Sequence, residues 1–250
     1  MRSVLVLGGT AEARELAAAL DRDPQTRVIS TLAGRVVRPR LPAGEVRIGG
    51  FGGADGLARY LQDEQIGAVV DATHPFAERM SASAYSACER AGVPLVRVER
   101  PPFAQAADDD WRRVATLDEA ARLIPTVGRR VFLTTGRQGL AAFAGVDDAF
   151  FLVRCVDPPR APLPRHHELL LRRGPFTLDG ELKLIDRHRL DVLVTKDSGG
   201  EHTQAKIDAA RMRRLPVIVV ARPARPGGRA IPTVADAGEA LDWLRRHDAG

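Results

Sequence analysis

Two segments of this 250-residue chain share one pattern: an apolar run, a glycine-bearing turn, then a helix-like stretch. The first is Val4-Leu5-Val6-Leu7, Gly8-Gly9-Thr10 and Ala11–Leu20. The second is Val192-Leu193-Val194-Thr195, Lys196-Asp197-Ser198-Gly199-Gly200 and Thr203–Arg214. A strand that turns into a helix in this way aims backbone N–H groups and the positive end of the helix dipole at one point, ready for an anion. Two such units predict two α/β halves, each with an anion-accepting turn at the carboxyl ends of its strands.

The intervening sequence keeps the alternation. Strands are expected at Ser3–Leu7, Arg27–Leu32, Glu45–Ile48, Ala68–Asp71 and Leu95–Val98, rich in Val, Ile and Leu as doubly covered parallel strands are. Helices are expected at Ala11–Leu20, Leu57–Gln62 and Phe76–Ala91, the last stopped by Gly92 and Pro94. Glu99–Gln105, with Arg100-Pro101-Pro102, reads as a linker. The pattern then restarts with a capping box at Thr116–Glu119. Strands are expected at Arg130–Thr134, Phe150–Arg154, Glu168–Leu171, Asp191–Thr195 and Pro216–Val220. Helices are expected at Leu178–Arg187, Thr203–Arg214 and Ala235–His247, with Arg222–Arg229 as a loop. The division expected is 1–100 and 101–250.

Composition narrows the function. The net charge is +5, and 34 of the 37 basic residues are arginine. That excess reads either as nucleotide-composition bias or as affinity for anions. With 5% aromatic residues and no basic run of five, nucleic acid is disfavoured and a polyanionic small molecule fits. No apolar run nears the roughly 20 residues that span a bilayer. Gly8-Gly9 interrupts the first apolar run, so no signal peptide is expected and the chain reads as cytoplasmic. Cys88 and Cys155 lack metal or CxxC spacing and read as reduced thiols. His166-His167 and His202 lack ligand partners at useful spacing, so no metal site is expected.

The turns carry the candidate chemistry. Gly8, Gly9 and Thr10 form either a bare tight turn or a phosphate cradle, although the spacing is not GxGxxG. After the second strand, Ala33-Gly34-Arg35 brings no acid for a ribose 2′-OH but an arginine suited to a 2′-phosphate, which favours NADP(H) over NAD(H). Gly49-Gly50-Phe51-Gly52-Gly53 is either a surface loop anchored by Phe51 or a loop that lets a ligand approach. Thr73, His74 and Phe76 end the fourth strand, where a nicotinamide would lie; His74 is either a structural hydrogen-bonder or a proton donor. Thr135-Gly136-Arg137 and Lys196, Ser198, Gly199 and Gly200 end two strands of the second half and can meet an anion. The absence of GxxxxGK[ST] disfavours ATP hydrolysis.

In order, Leu5–Arg14, Leu32–Arg35, Gly49–Gly53, Asp71–Ala77, Leu133–Arg137, Arg173–Phe176, Thr195–Gly200 and Ala221–Pro223 resemble the motifs of the precorrin-6A reductase family. The resemblance spans nearly the whole chain, with one departure at Asp197, where the family's turn often carries Asn. It implies two Rossmann-like parallel-sheet halves with the active site in the cleft between them. It also implies an NADPH-dependent CH–CH oxidoreductase of cobalamin biosynthesis that reduces precorrin-6A to precorrin-6B. The substrate's carboxylates suit an arginine-rich protein. On this reading Gly8, Gly9, Thr10, Ala33, Gly34, Arg35, Thr73, His74 and Phe76 bind cofactor. Thr135, Gly136, Arg137, Lys196, Ser198, Gly199 and Gly200 bind substrate, and His74 and Lys196 are the candidate catalytic proton donors. The alternatives are a cobalt-precorrin-6A reductase and a non-catalytic NADP-sensing module. Oligomeric state is not fixed by the sequence.

Overall fold

The structure is a computed structural model that describes residues 2–34, 39–224 and 231–248. It divides into two compact units, Met1–Pro101 with Pro223–Gly250, and Pro102–Arg222. The first crossing falls inside the expected linker. The expected second half, 101–250, is corrected at its far end, because residues 223–250 belong to the first unit.

The first unit contains β1 (Arg2–Leu7), α1 (Ala11–Leu20), β2 (Thr26–Leu32), β3 (Glu45–Ile48), α2 (Ala54–Asp63), β4 (Ala68–Asp71), α3 (Glu78–Ala91) and β5 (Leu95–Val98). The described strands lie in the order β3-β2-β1-β4-β5, and a last strand, which we number β12 (Thr233–Val234), pairs with β5. Every pairing is parallel. Alternation along β1 sends Val4 and Val6 to one face and Leu5 and Leu7 to the other. Val4 and Val6 pack with Leu16 and Leu20 of α1 and with Trp243 and Leu244 of the closing helix α7 (Ala237–Asp248). Leu5 and Leu7 pack with Leu57 and Leu61 of α2 and Ala84 and Ala87 of α3. Both faces are covered, which is why β1 reads as one apolar run.

The second unit contains β6 (Trp111–Val114), α4 (Leu117–Val127), β7 (Arg130–Leu133), β8 (Phe150–Cys155), β9 (His166–Leu171), α5 (Leu178–His188), β10 (Val192–Lys196), α6 (Ala205–Met212) and β11 (Val217–Val220). Its parallel order is β9-β8-β7-β10-β11-β6. Phe132, Leu152, Leu193 and Val219 pack with Ile185 of α5 and Ile207 of α6. Alternation turns Val131, Leu133, Phe151 and Val194 to the other face, where Phe151 meets the Phe143 ring at 6.2 Å.

Both sheets reverse their strand order once. In the first, the chain runs outward from β1 to β2 and β3 and from β4 to β5, so the reversal lies between β1 and β4. In the second it lies between β7 and β10. In open α/β sheets, a crevice opens at the carboxyl ends of the strands at such a point. Beside the first reversal stands the glycine turn after β1, and beside the second stand the glycine turns after β7 and β10.

Several expected boundaries move. Helix Phe76–Ala91 starts at Glu78, because Ala77 N–H donates to His74 O at 2.7 Å in the preceding turn. Helix Thr203–Arg214 resolves into a short 3₁₀ turn, Glu201–Thr203, followed by α6. The C-terminal part of the expected loop, from residue 225, lies outside the described residues. Among the described residues no helix is long and apolar enough to cross a membrane.

Candidate functional site

In the first unit, Gly8 N–H donates to Thr31 O at 2.9 Å, and a Cβ on Gly8 would stand 3.1 Å from that oxygen. Gly9 has φ +115°, which disfavours any other residue, and open space surrounds its missing side chain. Thr10 caps α1: its hydroxyl accepts Ala13 N–H at 3.1 Å and donates to Ala72 O at 2.7 Å. That second bond ties the turn after β1 to the turn after β4 across the reversal. The hydroxyl proton is therefore committed, and an anion here would be met by backbone N–H groups of the turn and first helical residues.

Glu12 sits in the first turn of α1, where its charge would oppose a bound anion. Arg100 Nη1 lies 3.0 Å from both of its carboxylate oxygens. Burial raises the Glu12 pKa, but Arg100 together with nearby hydrogen bonds offsets this and holds it below the ordinary value.

After β2, Ala33 and Gly34 are exposed, and Gly34 has φ +66°. A Cβ on Gly34 would lie 3.4 Å from Ile48 Cγ2, and Ile48 is 57% exposed at the end of β3. Arg35 lies outside the described residues. Phe51 is the anchor of its glycine loop: its ring packs on Tyr60 at 5.1 Å and under the Arg47 guanidinium at 4.2 Å. Arg47 also donates to Gly49 O and Gly50 O at 3.1 and 3.0 Å, while open space surrounds the missing side chains of Gly49, Gly50, Gly52 and Gly53. The loop is thus held from below and bare above.

Buried Asp71 organises the turn after β4. Its Oδ1 accepts Thr73 N–H at 3.1 Å and Thr73 Oγ1–H at 2.7 Å, and its Oδ2 accepts Ser81 Oγ–H at 2.6 Å. Arg97 Nη1 stands 3.9 Å from Oδ2. Thr73 is accordingly fixed by Asp71. His74 is exposed, and its Nδ1 accepts Phe76 N–H at 3.2 Å, so the neutral ring carries its proton on Nε2. The His74 and Phe76 rings lie 5.8 Å apart. Sequence reading placed Asp71 in this motif but gave it no role; an acid closing an apolar strand two residues before a threonine was the signal.

In the second unit, Thr134 N–H donates to Val194 O at 2.9 Å, which carries the ladder one residue past β7. Thr135 follows, buried, and its Oγ1 has no hydrogen-bond partner among the described residues. A buried hydroxyl left without a partner costs about 1–3 kcal/mol. Gly136 has φ +77° and open space at its missing side chain. Arg137 Nη1 stands 4.0 Å from Asp157 Oδ2.

Across the reversal, Lys196 closes β10 half-buried, and burial pushes its ammonium below the ordinary lysine value. Asp197 turns its carboxylate inward: Oδ1 accepts Phe103 N–H at 3.0 Å and Oδ2 faces Arg113 Nη1 at 3.3 Å. Its charge is therefore engaged by these groups, and this accounts for an acid where the family's turn often carries Asn. Arg222 Nε donates to Asp197 O at 2.8 Å. Gly199 and Gly200 take φ +62° and +82°, and Thr203 Oγ1 donates to Gly199 O at 3.1 Å.

Both cysteines are buried free thiols. Burial pushes Cys88 up to about 12 and raises Cys155. Among the described residues no three His, Cys, Asp or Glu side chains are grouped to hold a metal ion.

Two parallel six-stranded sheets, each covered by helices and each with a glycine turn beside its strand reversal, define a class of two-sheet α/β proteins. Residues 3–245 match the model of the family described as Precorrin-6x reductase CbiJ/CobK, and the chain belongs to that family of oxidoreductases. A precorrin-6A reductase of Rhodococcus erythropolis is 50% identical over 244 residues, covering 98% of each chain. A precorrin-6A reductase of Mycobacterium tuberculosis is 49% identical over 247 residues, again covering 98% of each. A cobalt-precorrin-6A reductase of Salmonella typhimurium is 34% identical, covering 88% of this chain and 87% of its own. A solved CobK precorrin-6A reductase superposes with a TM-score of 0.91 at 40% identity, covering 99% of this chain and 97% of that one.

Proposed function

We propose that this chain reduces precorrin-6A to precorrin-6B in cobalamin biosynthesis, with NADPH as reductant and the cytoplasm as its compartment. The carrying observation is that glycine-bearing turns stand beside the strand reversal of each sheet, after β1 in the first and after both β7 and β10 in the second. The turns of the first unit suit a nucleotide: Gly8 and Gly9 leave room at the start of α1, and Gly34, Ile48 and the bare side of Gly49–Gly53 border the place for an adenosine. Backbone N–H groups at Gly9 and Thr10 would hold the pyrophosphate, Ala33, Gly34 and Arg35 the adenosine phosphate end, and Thr73, His74 and Phe76 the nicotinamide end. When bound, NADPH supplies a hydride to one ring carbon of a C=C bond, and a proton on the neighbouring carbon completes the reduction.

The second unit's residues orient the substrate. Thr135 offers its unpartnered hydroxyl, Gly136, Ser198, Gly199 and Gly200 offer backbone, and Arg137 and Lys196 offer positive charge to carboxylates. Lys196 is the better supported proton donor. Its partly desolvated ammonium releases a proton more readily than a solvated lysine does. His74 is exposed, with Nδ1 held by the Phe76 N–H.

A cobalt-free substrate is favoured over a cobalt-loaded one, because relatives named precorrin-6A reductase reach 50% identity and those named for cobalt-precorrin-6A reach 34%. The deciding assay is NADPH oxidation on adding precorrin-6A, followed by competition with the cobalt-loaded substrate. Consumption of NADPH supports the reading. Binding of NADPH without consumption by either substrate would instead support a sensing module.

A further inference from the structure

In the second unit a buried ion pair lies next to the conformational support of the Ser198–Gly200 turn. Arg154 Nη1 meets Glu181 Oε1 at 2.5 Å, with the side chains 5% and 2% exposed. Arg154 leaves β8 near its carboxyl end, and Glu181 lies in the first turn of α5. Two aromatic rings flank the guanidinium, Phe132 at 4.8 Å and Phe176 at 3.7 Å from ring centroid to Cζ. Taking an ion pair out of water gains little net stability over apolar residues of the same volume, so its worth lies in what it positions.

The neighbours of this pair lead towards the Ser198–Gly200 turn. The Phe176 ring folds over Gly174, whose would-be Cβ lies 3.2 Å from Phe176 Cε2 and 3.3 Å from His202 O. His202 belongs to the 3₁₀ turn Glu201–Thr203, and Thr203 Oγ1 donates to Gly199 O at 3.1 Å and Gly200 O at 3.4 Å. Gly174 thus sits between the Phe176 ring and His202 O with no room for a side chain, and His202 adjoins the threonine that holds the two glycines.

We infer that Arg154, locked by Glu181, is a positioning residue that uses the Phe176 ring to fix the Gly199-Gly200 turn for a substrate carboxylate. This rests on the reading of that turn as substrate-binding. Phe176 is only half-buried, so replacing it should leave the unit folded. The test is steady-state kinetics of the full chain with precorrin-6A and NADPH, with the NADPH Kd and Tm measured alongside.

Phe176→Leu, which keeps apolar bulk but loses the ring face, should raise the precorrin-6A KM about three- to tenfold, the scale of one cation–π contact. The kcat should stay within about twofold of the parent and the NADPH Kd unchanged, as for lost uniform binding. Phe176→Tyr should restore the parent KM. Gly174→Ala, which wedges a methyl between ring and carbonyl, should raise KM in the same way. An unchanged KM in Phe176→Leu, or a fall in kcat and Tm without a KM change, overturns the inference. Failure of the parent chain to turn over precorrin-6A is the distinct result that removes the functional reading beneath it.

Discussion

The Asp197 carboxylate accepts the backbone N–H of Phe103 at 3.0 Å, and both groups are buried. Asp197 also stands in the Lys196–Gly200 turn, so one side chain fixes the backbone there to the segment that opens the second unit. Its other oxygen faces Arg113, whose side chain is 48% exposed and screened by water. Asp197→Ala strands a buried N–H and should cost about 1–3 kcal/mol of unfolding free energy. Asp197→Asn keeps an acceptor and loses only the screened ion pair, so its cost should stay below about 1 kcal/mol. Urea denaturation of the two variants checks this; equal losses would show that charge, not the Phe103 bond, fixes the turn.

As the proposed proton donor, Lys196 should leave a pH signature. A proton donor must be protonated, and burial holds this ammonium below the ordinary 10.5. The kcat should therefore fall as pH rises through a value under 10.5. Lys196→Ala should lower kcat by about 10²–10⁴, the usual contribution of a positioned acid. Lys196→Arg keeps a positive charge but does not release a proton in this range, so KM should be largely kept while kcat still falls. A variant that raises KM and spares kcat would make Lys196 a carboxylate ligand alone.

Much of the architecture was legible because covered parallel strands are apolar throughout. Val4–Leu7, Ala68–Asp71 and Val192–Thr195 announce themselves in this way. The edge strands do not. Trp111-Arg112-Arg113-Val114 carries two exposed arginines, and Thr233–Val234 is two residues long. Neither makes a pattern that can be told from a loop. With β12 unseen, the return of the chain to the first unit was unseen too. The glycine turns were legible, since positive φ at Gly9, Gly136, Gly199 and Gly200 selects the residue. The ties that hold them were not. Thr10 to Ala72, Asp197 to Phe103 and Arg154 to Glu181 join residues far apart in sequence, and no spacing rule encodes them.

Glu12 and Arg100 form a second charge pair with a testable effect. With Arg100 at 3.0 Å, the acid at the start of α1 is neutralised where a pyrophosphate would sit. Arg100→Met should uncover that charge and weaken NADPH binding by about 0.3–1 kcal/mol, the size of a charge effect at a helix end. The double variant with Glu12→Gln should regain the loss, as measured by calorimetry. The pair also marks the acid limb of stability. Because the folded pKa of Glu12 lies below its ordinary 4.5, its contribution is present above 4.5 and is lost as pH falls through the folded value. Glu12→Gln should flatten that loss in acid denaturation, and an unchanged limb would show that the pair adds nothing to folding.

On the proposed reading, Arg35 carries the choice of coenzyme. No acid follows β2 to accept a ribose 2′-OH, and Gly34 with φ +66° turns the chain just before this arginine. A 2′-phosphate held by a guanidinium forms charge-assisted bonds that the 2′-OH of NADH does not offer in equal strength. Arg35→Ala should therefore weaken NADPH binding by about 1.5–3 kcal/mol, the range for a hydrogen bond to a charged group, and leave NADH binding nearly unchanged. The ratio of the two dissociation constants is the readout, since a general disturbance of the β2 turn would weaken both coenzymes alike. Equal losses would move the source of discrimination away from Arg35.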